Sequence, residues 1–294
     1  MNPETVRWLQ VENTTKCNAW CPGCGRNKGG FGLADNLVIE DLDLARFCQV
    51  LELFPNLETI QFCATYGDAI AANNIVDHVQ LAKQYAKKIH IHTHGGIRNP
   101  KWWAQFAEIL KDINHEVWFA IDGLAGVHEI YRQGTNFNNT LNNAKEFINT
   151  GGHAVWQFIP FAHNEHQIKD CMKLSQRLGF RRFKFVHTVR EKFQGRHYRT
   201  GDPIELNPWS GSKNTNLYQL IPERTSLSVT DCRHVSQNSI YLNANGLLSP
   251  CCYLNTSRTL DNDQFPDIEK EINTKPSREC LTLCGNGVKL RHQS

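Results

Sequence analysis

With 294 residues, 32 of them basic and 29 acidic, the chain carries a formal charge of +3, too weak a field to draw in nucleic acid or an anionic membrane surface. No segment approaches the roughly 20 consecutive apolar residues of a bilayer span, and the opening MNPETVRWLQVENTTKCNAW lacks the apolar run of a signal peptide. A soluble, cytoplasmic protein with neither nucleic acid nor membrane as partner is expected, built as one large domain with a small appendage. Reducing compartments keep thiols free, so the eleven cysteines, an odd count, read as metal ligands or reactive thiols rather than disulfides.

From residue 5 to about 188, short apolar runs alternate with longer amphipathic stretches, the pattern of repeated β/α units around a parallel sheet. Six strands are expected, at Arg7–Glu12, Thr59–Cys63, Ile89–Thr93, Glu116–Ile121, Ala154–Pro160 and Arg182–Val186. Helical patterns lie near 40–53, 74–88, 100–112, 138–149 and 165–178, and Pro100 suits a first helical turn, where its missing N–H has no intrahelical partner to lose. Parallel sheets of this kind bind ligands at the carboxyl ends of their strands, which makes the residues just after each run the ones to inspect. Residues 191–225 are polar and punctuated by Pro and Gly, and read as a linker or irregular excursion. Beyond them, residues 226–294 hold five cysteines and a hairpin pattern, SIYLNANGLLSPCC, about an Asn-Gly turn.

The first strand runs into Thr14-Thr15-Lys16-Cys17-Asn18-Ala19-Trp20-Cys21-Pro22-Gly23-Cys24-Gly25-Arg26. Cysteines at i, i+4 and i+7 could mark one face of a buried helix, but Pro22, Gly23 and Gly25 make a regular helix there costly, so a loop wrapped around something is favoured. Structural zinc wants four protein ligands, and no fourth Cys or His lies close by in sequence. Three thiolates suit a cubane iron–sulfur cluster with one open iron, although a distant cysteine could still complete a zinc site.

CNAWCPGC has the CxxxCxxC form of the radical S-adenosylmethionine (radical SAM) enzymes and stands, as in that superfamily, directly after the first strand. The resemblance implies a [4Fe-4S] cluster on Cys17, Cys21 and Cys24, whose fourth iron takes the amino and carboxylate groups of S-adenosylmethionine. One-electron reduction then cleaves the sulfonium to a 5'-deoxyadenosyl radical. The residue before the third cysteine is often aromatic in the family and is Gly23 here. Further along, Gly67-Asp68 stands where the family has GGEP, with Ala69 replacing the proline, and Thr93-His94-Gly95 resembles a TNG turn. Taken alone, the first of these is an ordinary solvated turn. His90, His92 and His94 share a strand face, but its ends lie about 13 Å apart with no accompanying carboxylate, so the three read mainly as structural.

Ala120-Ile121-Asp122-Gly123 is similar to the family's SxDG element, and His128-Glu129-Ile130-Tyr131-Arg132 to a stretch whose arginine pairs with the SAM carboxylate. By resemblance, Gly67, Asp68, His94, Asp122, Arg132 and Gln157 are expected around SAM, and Asn164 is expected to cap the helix after it. No catalytic side chain can be named from the sequence.

Cys232, thirteen residues, Gly246, four residues and Cys251 resemble the opening of the SPASM and twitch domains of radical SAM enzymes. That implies an auxiliary [4Fe-4S] cluster on Cys232, Cys251, Cys280 and Cys284, with Cys252 a possible ligand or a spare; a four-thiolate zinc ribbon has the same spacing. The expectation is thus an α/β enzyme. Residues 1–190 form a partial (β/α)6, TIM-like barrel and 226–294 a small Cys-rich auxiliary domain. The substrate expected from the resemblance is a peptide or protein, with flavodoxin or ferredoxin as electron donor. A small nucleotide or cofactor precursor is the alternative substrate, and a non-catalytic zinc-binding interaction protein is the alternative class.

Overall fold

A computed structural model describes residues 2–63, 65–186, 193–211 and 232–252. Six strands, β1 (Trp8–Val11), β2 (Thr59–Phe62), β3 (Lys88–Thr93), β4 (Glu116–Ala120), β5 (Ala154–Phe158) and β6 (Arg182–Phe185), lie side by side in chain order. Every neighbouring pair is parallel. Between them run α1 (Leu44–Glu52), α2 (Ile75–Tyr85), α3 (Pro100–Leu110), the single turn α4 (His128–Tyr131), α5 (Phe137–Asn149) and α6 (Ile168–Arg177). Each crossover therefore moves the chain one strand further in the same direction. Because such crossovers keep one hand, the helices gather on one face of the sheet and leave the other to side chains and ligands.

The helices start where the sequence supplies a cap. Asp43, Asn99 and Asn136 each accept a hydrogen bond from a first-turn backbone N–H of α1, α3 and α5, which satisfies donors that have no intrahelical partner. Alternate strand residues, Leu9, Val11, Ile60, Phe62, Ile89, Ile91, Val117, Phe119, Trp156 and Phe158, pack with Phe47, Trp103, Phe106 and Phe147 into the main core. Strand side chains alternate sides, so the intervening Gln10, Gln61, His90, His92, Trp118 and Gln157 share the opposite face. Two chemically different faces give these strands a period of two, and the alternation at Ile89–Thr93 was legible for that reason.

Two departures from the sequence reading concern residues 193–252. Within the segment expected to be irregular, β7 (Phe193–Arg196) and β8 (Pro203–Leu206) pair as an antiparallel hairpin. Gly195 and Pro203 obscure its alternation, yet Pro203 opens β8 opposite Arg196, a strand position that tolerates a missing N–H. Further on, the turn at Asn245-Gly246 joins β9 (Ser239–Leu242) to β10 (Leu248–Ser249), as the hairpin pattern predicts, with Gly246 at φ 81°. Strand β9 also lies parallel to β1, with Leu9 opposite Ile240, and extends the main sheet to eight strands in the order 10-9-1-2-3-4-5-6. Among the described residues no helix is long and apolar enough to cross a membrane.

Candidate functional site

The loop after β1 carries Cys17, Cys21 and Cys24, and its own backbone shapes it: Cys24 N–H donates to Cys21 O (3.1 Å), Ala19 N–H to Cys17 Sγ (3.4 Å) and the Asn27 amide to Cys21 O (3.1 Å). The root of the loop is tied down by Thr14 and Lys16, both on the carboxylate of Asp41 at 2.6 and 2.7 Å. Its far side rests on the turn after α4, where Trp20 N–H donates to Gln133 O (2.7 Å). Gly134 sits in that turn at φ 79°, and a Cβ there would stand 2.8 Å from Asn18 O. The β7–β8 hairpin closes over the loop. Tyr198 stacks on Trp20 with ring centroids 6.1 Å apart, and Ile204 and Leu206 join Cys21, Ala19, Tyr131 and Phe161 in a second apolar cluster.

Against this loop stands the turn after β2. Asp68 N–H donates to Lys16 O (2.8 Å), and Gly67 packs so tightly on Thr14 and Lys16 that any side chain would overlap their backbone. The carboxylate of Asp68 is buried and fully engaged, accepting from Thr93 Oγ1 (2.8 and 2.9 Å), His94 N–H (2.8 Å) and Ile70 N–H (3.0 Å). Asp68 is thus a tie between the ends of β2 and β3. His94 is buried beside it: Nδ1 accepts from Gly96 N–H (3.0 Å), while Nε2 lies 3.4 Å from Asp68 and has no hydrogen-bond partner among the described residues. Burial lowers its pKa although the Asp68 carboxylate opposes the effect.

On the other side, Asp122 follows β4 and is wholly buried. One oxygen accepts from Arg132 Nε and the other from Ile159 N–H, both at 2.6 Å. Burial disfavours the charge on Arg132, but the Asp122 carboxylate more than offsets it. The same guanidinium reaches Cys21 Sγ at 3.9 Å. His128 accepts from Asp122 N–H on Nδ1 (3.1 Å) and faces Thr135 Oγ1 with Nε2 (3.1 Å), and burial drops its pKa to about 3, which favours the neutral ring that these two contacts use. Asn164 does not cap the following helix as expected. Its amide donates to the carbonyls of Asp122 and Ile159 at 3.0 and 2.9 Å and its oxygen accepts from Phe161 N–H, which locks the turn after β5 to the end of β4.

The thiols themselves are poised between these two groups. Asp68 acts electrostatically on Cys17, and Arg132 on Cys21. Burial pushes the Cys21 thiol up to about 11 against the pull of Arg132, and the Cys17 thiol further still, with Asp68 adding to the rise. Both would be acids of little use without a metal to replace the proton. Among the described residues no three His, Cys, Asp or Glu side chains converge as ligands of a single ion. A multi-iron cluster asks for something else, soft thiolates spaced around it and bound to different irons, and this loop supplies three. The residues fit an iron–sulfur group.

Of the remaining expected residues, Gln157 lies on the inner face of the sheet, where His92 Nδ1–H donates to its Oε1 (3.2 Å) and the His92 ring stacks on Trp118. Gly67, Asp68, His94, Asp122 and Arg132 gather at the carboxyl ends of β2, β3 and β4 around the cysteine loop. Cys251 is buried and Cys232 and Cys252 are half-buried, whereas Cys280 and Cys284 lie outside the described residues. Cys252 is close enough to Cys63, at the end of β2, to act on its titration. Sequence reasoning missed Glu12 and Tyr241, which meet beneath the β2 turn at 2.7 Å. The one signal available was an acid at the carboxyl end of the first strand.

No protein-family model and no curated protein matches the chain. Among solved structures it is similar to SuiB of Streptococcus suis bound to the precursor peptide SuiA, with 14% identity and a TM-score of 0.60 over 92% of this chain and 65% of that one. It is also similar to SuiB bound to S-adenosylmethionine (13%, 0.58, 95% of this chain and 68% of that one). A third similar structure is anSMEcpe with AdoMet and the Kp18Cys peptide (13%, 0.50, 67% of this chain and 55% of that one). These proteins are radical SAM enzymes. The chain spans just under two thirds of SuiB in its peptide complex and about half of anSMEcpe. At such identities the likeness is one of fold, a mostly parallel α/β sheet with its helices.

Proposed function

We propose that this chain, whose fold is that of the radical SAM enzymes, acts as one, with Cys17, Cys21 and Cys24 holding a [4Fe-4S] cluster. The reading is carried by the placement of three thiols in one loop at the carboxyl end of β1, between the Asp68 tie and the Asp122–Arg132 pair. When bound, such a cluster supplies one electron to the sulfonium of S-adenosylmethionine, and the 5'-deoxyadenosyl radical then takes hydrogen from the substrate.

The chain's own part is to bind, orient and exclude water. Gly67 lets the β2 turn close on the root of the cysteine loop, so that the turn's backbone borders the cofactor's amino group. Asp122 acts through Arg132: by fixing Nε it aims the rest of the planar guanidinium at the cofactor's carboxylate. Asp68 and His94 form the floor beneath. Gln157, held by His92, faces the cofactor from the inner wall. The β7–β8 hairpin shields the loop from solvent, which keeps a reactive radical from water.

The inner face, with Gln10, Gln61, His92, Trp118 and Gln157, offers amide and imidazole groups that pair with peptide amides, and aromatic surface for side chains. We therefore read the substrate as a peptide, in keeping with the peptide complexes of SuiB and anSMEcpe. Cys232, Cys251, Cys280 and Cys284 hold a second [4Fe-4S] cluster in this reading, and a flavodoxin or ferredoxin supplies the electron. Anaerobically reconstituted protein should contain about eight irons, four for each cubane, and release 5'-deoxyadenosine from SAM under dithionite. Stoichiometric zinc with no iron, or no 5'-deoxyadenosine, overturns the proposal.

A further inference from the structure

Glu12, the residue after β1, is 2% exposed and lies directly under the turn that follows β2. Its Oε1 accepts from Gly67 N–H (2.8 Å) and Tyr66 N–H (3.1 Å); its Oε2 accepts from Thr65 N–H (2.9 Å) and from the Tyr241 hydroxyl (2.7 Å). Three consecutive backbone N–H groups curling around one anion form a nest, a concavity that ordinarily binds phosphate or another external anion. Here the chain fills it with its own carboxylate.

The consequence is directional. A trans peptide sets its N–H and C=O opposite one another. With the Tyr66 and Gly67 N–H groups held on Glu12, the carbonyls of Thr65 and Tyr66 are turned to the far side of the turn. Carbonyls so turned can accept from an ammonium group, whereas a turn free to rotate would present them only part of the time. The fourth donor, Tyr241, comes from β9, 229 positions away in the chain and fully buried.

We propose that Glu12 is the positioning residue of the cofactor's amino-group site, and that Tyr241 makes this site depend on the C-terminal strand β9. The inference rests on the reading above that the β2 turn borders SAM. Glu12 touches neither cofactor nor substrate; it acts through the backbone of residues 65–67. Tyr241 acts through Glu12. Docking of the C-terminal segment on β1 is thereby coupled to cofactor binding.

The test uses the full-length, anaerobically reconstituted protein and SAM itself as ligand. Glu12→Gln keeps the shape but replaces one acceptor oxygen by a donor that faces N–H groups. Tyr241→Phe removes only the hydroxyl, and is the milder variant if the first fails to fold. Iron content, SAM dissociation constant by titration calorimetry, and the electron paramagnetic resonance spectrum of the reduced cluster before and after SAM are measured. Expected are iron content and a SAM-free spectrum like wild type in both variants. The dissociation constant should rise about tenfold or more in Glu12→Gln and severalfold in Tyr241→Phe, since hydrogen bonds to a charged group are the strong ones. The double variant should be no worse than Glu12→Gln, because Tyr241 has no route of its own. Wild-type affinity in both single variants, or strictly additive losses in the double one, overturns the inference and leaves the enzyme reading standing. Failure of the unmodified protein to bind SAM overturns both.

Discussion

Gly67→Ala tests whether the β2 turn and the cysteine loop work as one unit. The glycine is needed for room: an added Cβ would lie 2.7 Å from Thr14 C and 2.9 Å from Lys16 O, and nearer still to Thr14 O, where ordinary contact begins at 3.4 Å. The two segments must therefore separate by about 0.7 Å at the least, the difference between 3.4 and 2.7 Å. All the clashing atoms are backbone, so no side chain can swing aside. Overpacking of this kind costs about 1–3 kcal/mol of stability, and a misplacement approaching 1 Å between cofactor-holding groups costs about 100-fold in turnover. Gly25→Ala, in the same loop, meets only Tyr66 Cε1 at 3.6 Å among the described residues and serves as the matched control. Thermal unfolding, iron content and rate of 5'-deoxyadenosine release should all distinguish the two variants. Unchanged release by Gly67→Ala, or an equal loss in Gly25→Ala, refutes the argument that this contact sets the site's geometry.

Asp122→Asn should destabilise the protein by about 3–5 kcal/mol in thermal or denaturant unfolding, because it strands the buried Arg132 guanidinium; a change below 1 kcal/mol contradicts that pairing. Replacing Cys17, Cys21 and Cys24 together by Ala should remove about half the iron and all SAM cleavage, and residual 5'-deoxyadenosine would place the catalytic cluster elsewhere. Losing Cys280 and Cys284 should spare the first cluster but abolish the auxiliary one, with SAM cleaved uncoupled from substrate, while Cys252→Ala should be mild; the opposite pattern in iron analysis makes Cys252 a ligand. Burial pulls His128 to about 3 and His78 and His92 to about 4. Since the unfolded chain takes up these protons near pH 6.5 and the folded one does not, stability should fall as pH drops from about 6.5 towards 4 and show no histidine slope above that range. A melting temperature flat from pH 6.5 to 4, or one with the same slope in His78→Leu, contradicts this.

The six strands and the five longer helices of residues 5–186 were legible because each strand separates an apolar face from a polar one and each of these helices carries one apolar stripe, so burial writes a period into the chain; the single turn α4 is too short to carry one. That the cysteine triplet lies in a loop was legible for a related reason: its thiols are close in sequence, and Pro22, Gly23 and Gly25 announce a loop. The β7–β8 hairpin was not, since Gly195 and Pro203 interrupt its alternation and its partners are the cysteine loop and the turn after α4. Asn164 was assigned to the wrong task on a local rule; its amide serves carbonyls at the end of β4, 42 residues earlier.

What the sequence determined by itself is the period of the strands and helices and the local cysteine motif, since those follow from residues within reach of one another along the chain. Only the tertiary structure decided which groups serve the site and how. Asp68 and Asp122 both proved to be engaged carboxylates that orient neighbours, because their partners Thr93, His94, Arg132 and Ile159 arrive from other crossovers. Glu12 became the centre of the β2 turn only once parallel pairing of β1 with β2 and with β9 brought Gly67 and Tyr241 to the same carboxylate. Strand pairing joins residues by register across the sheet, and that adjacency leaves no mark on the local order of the chain.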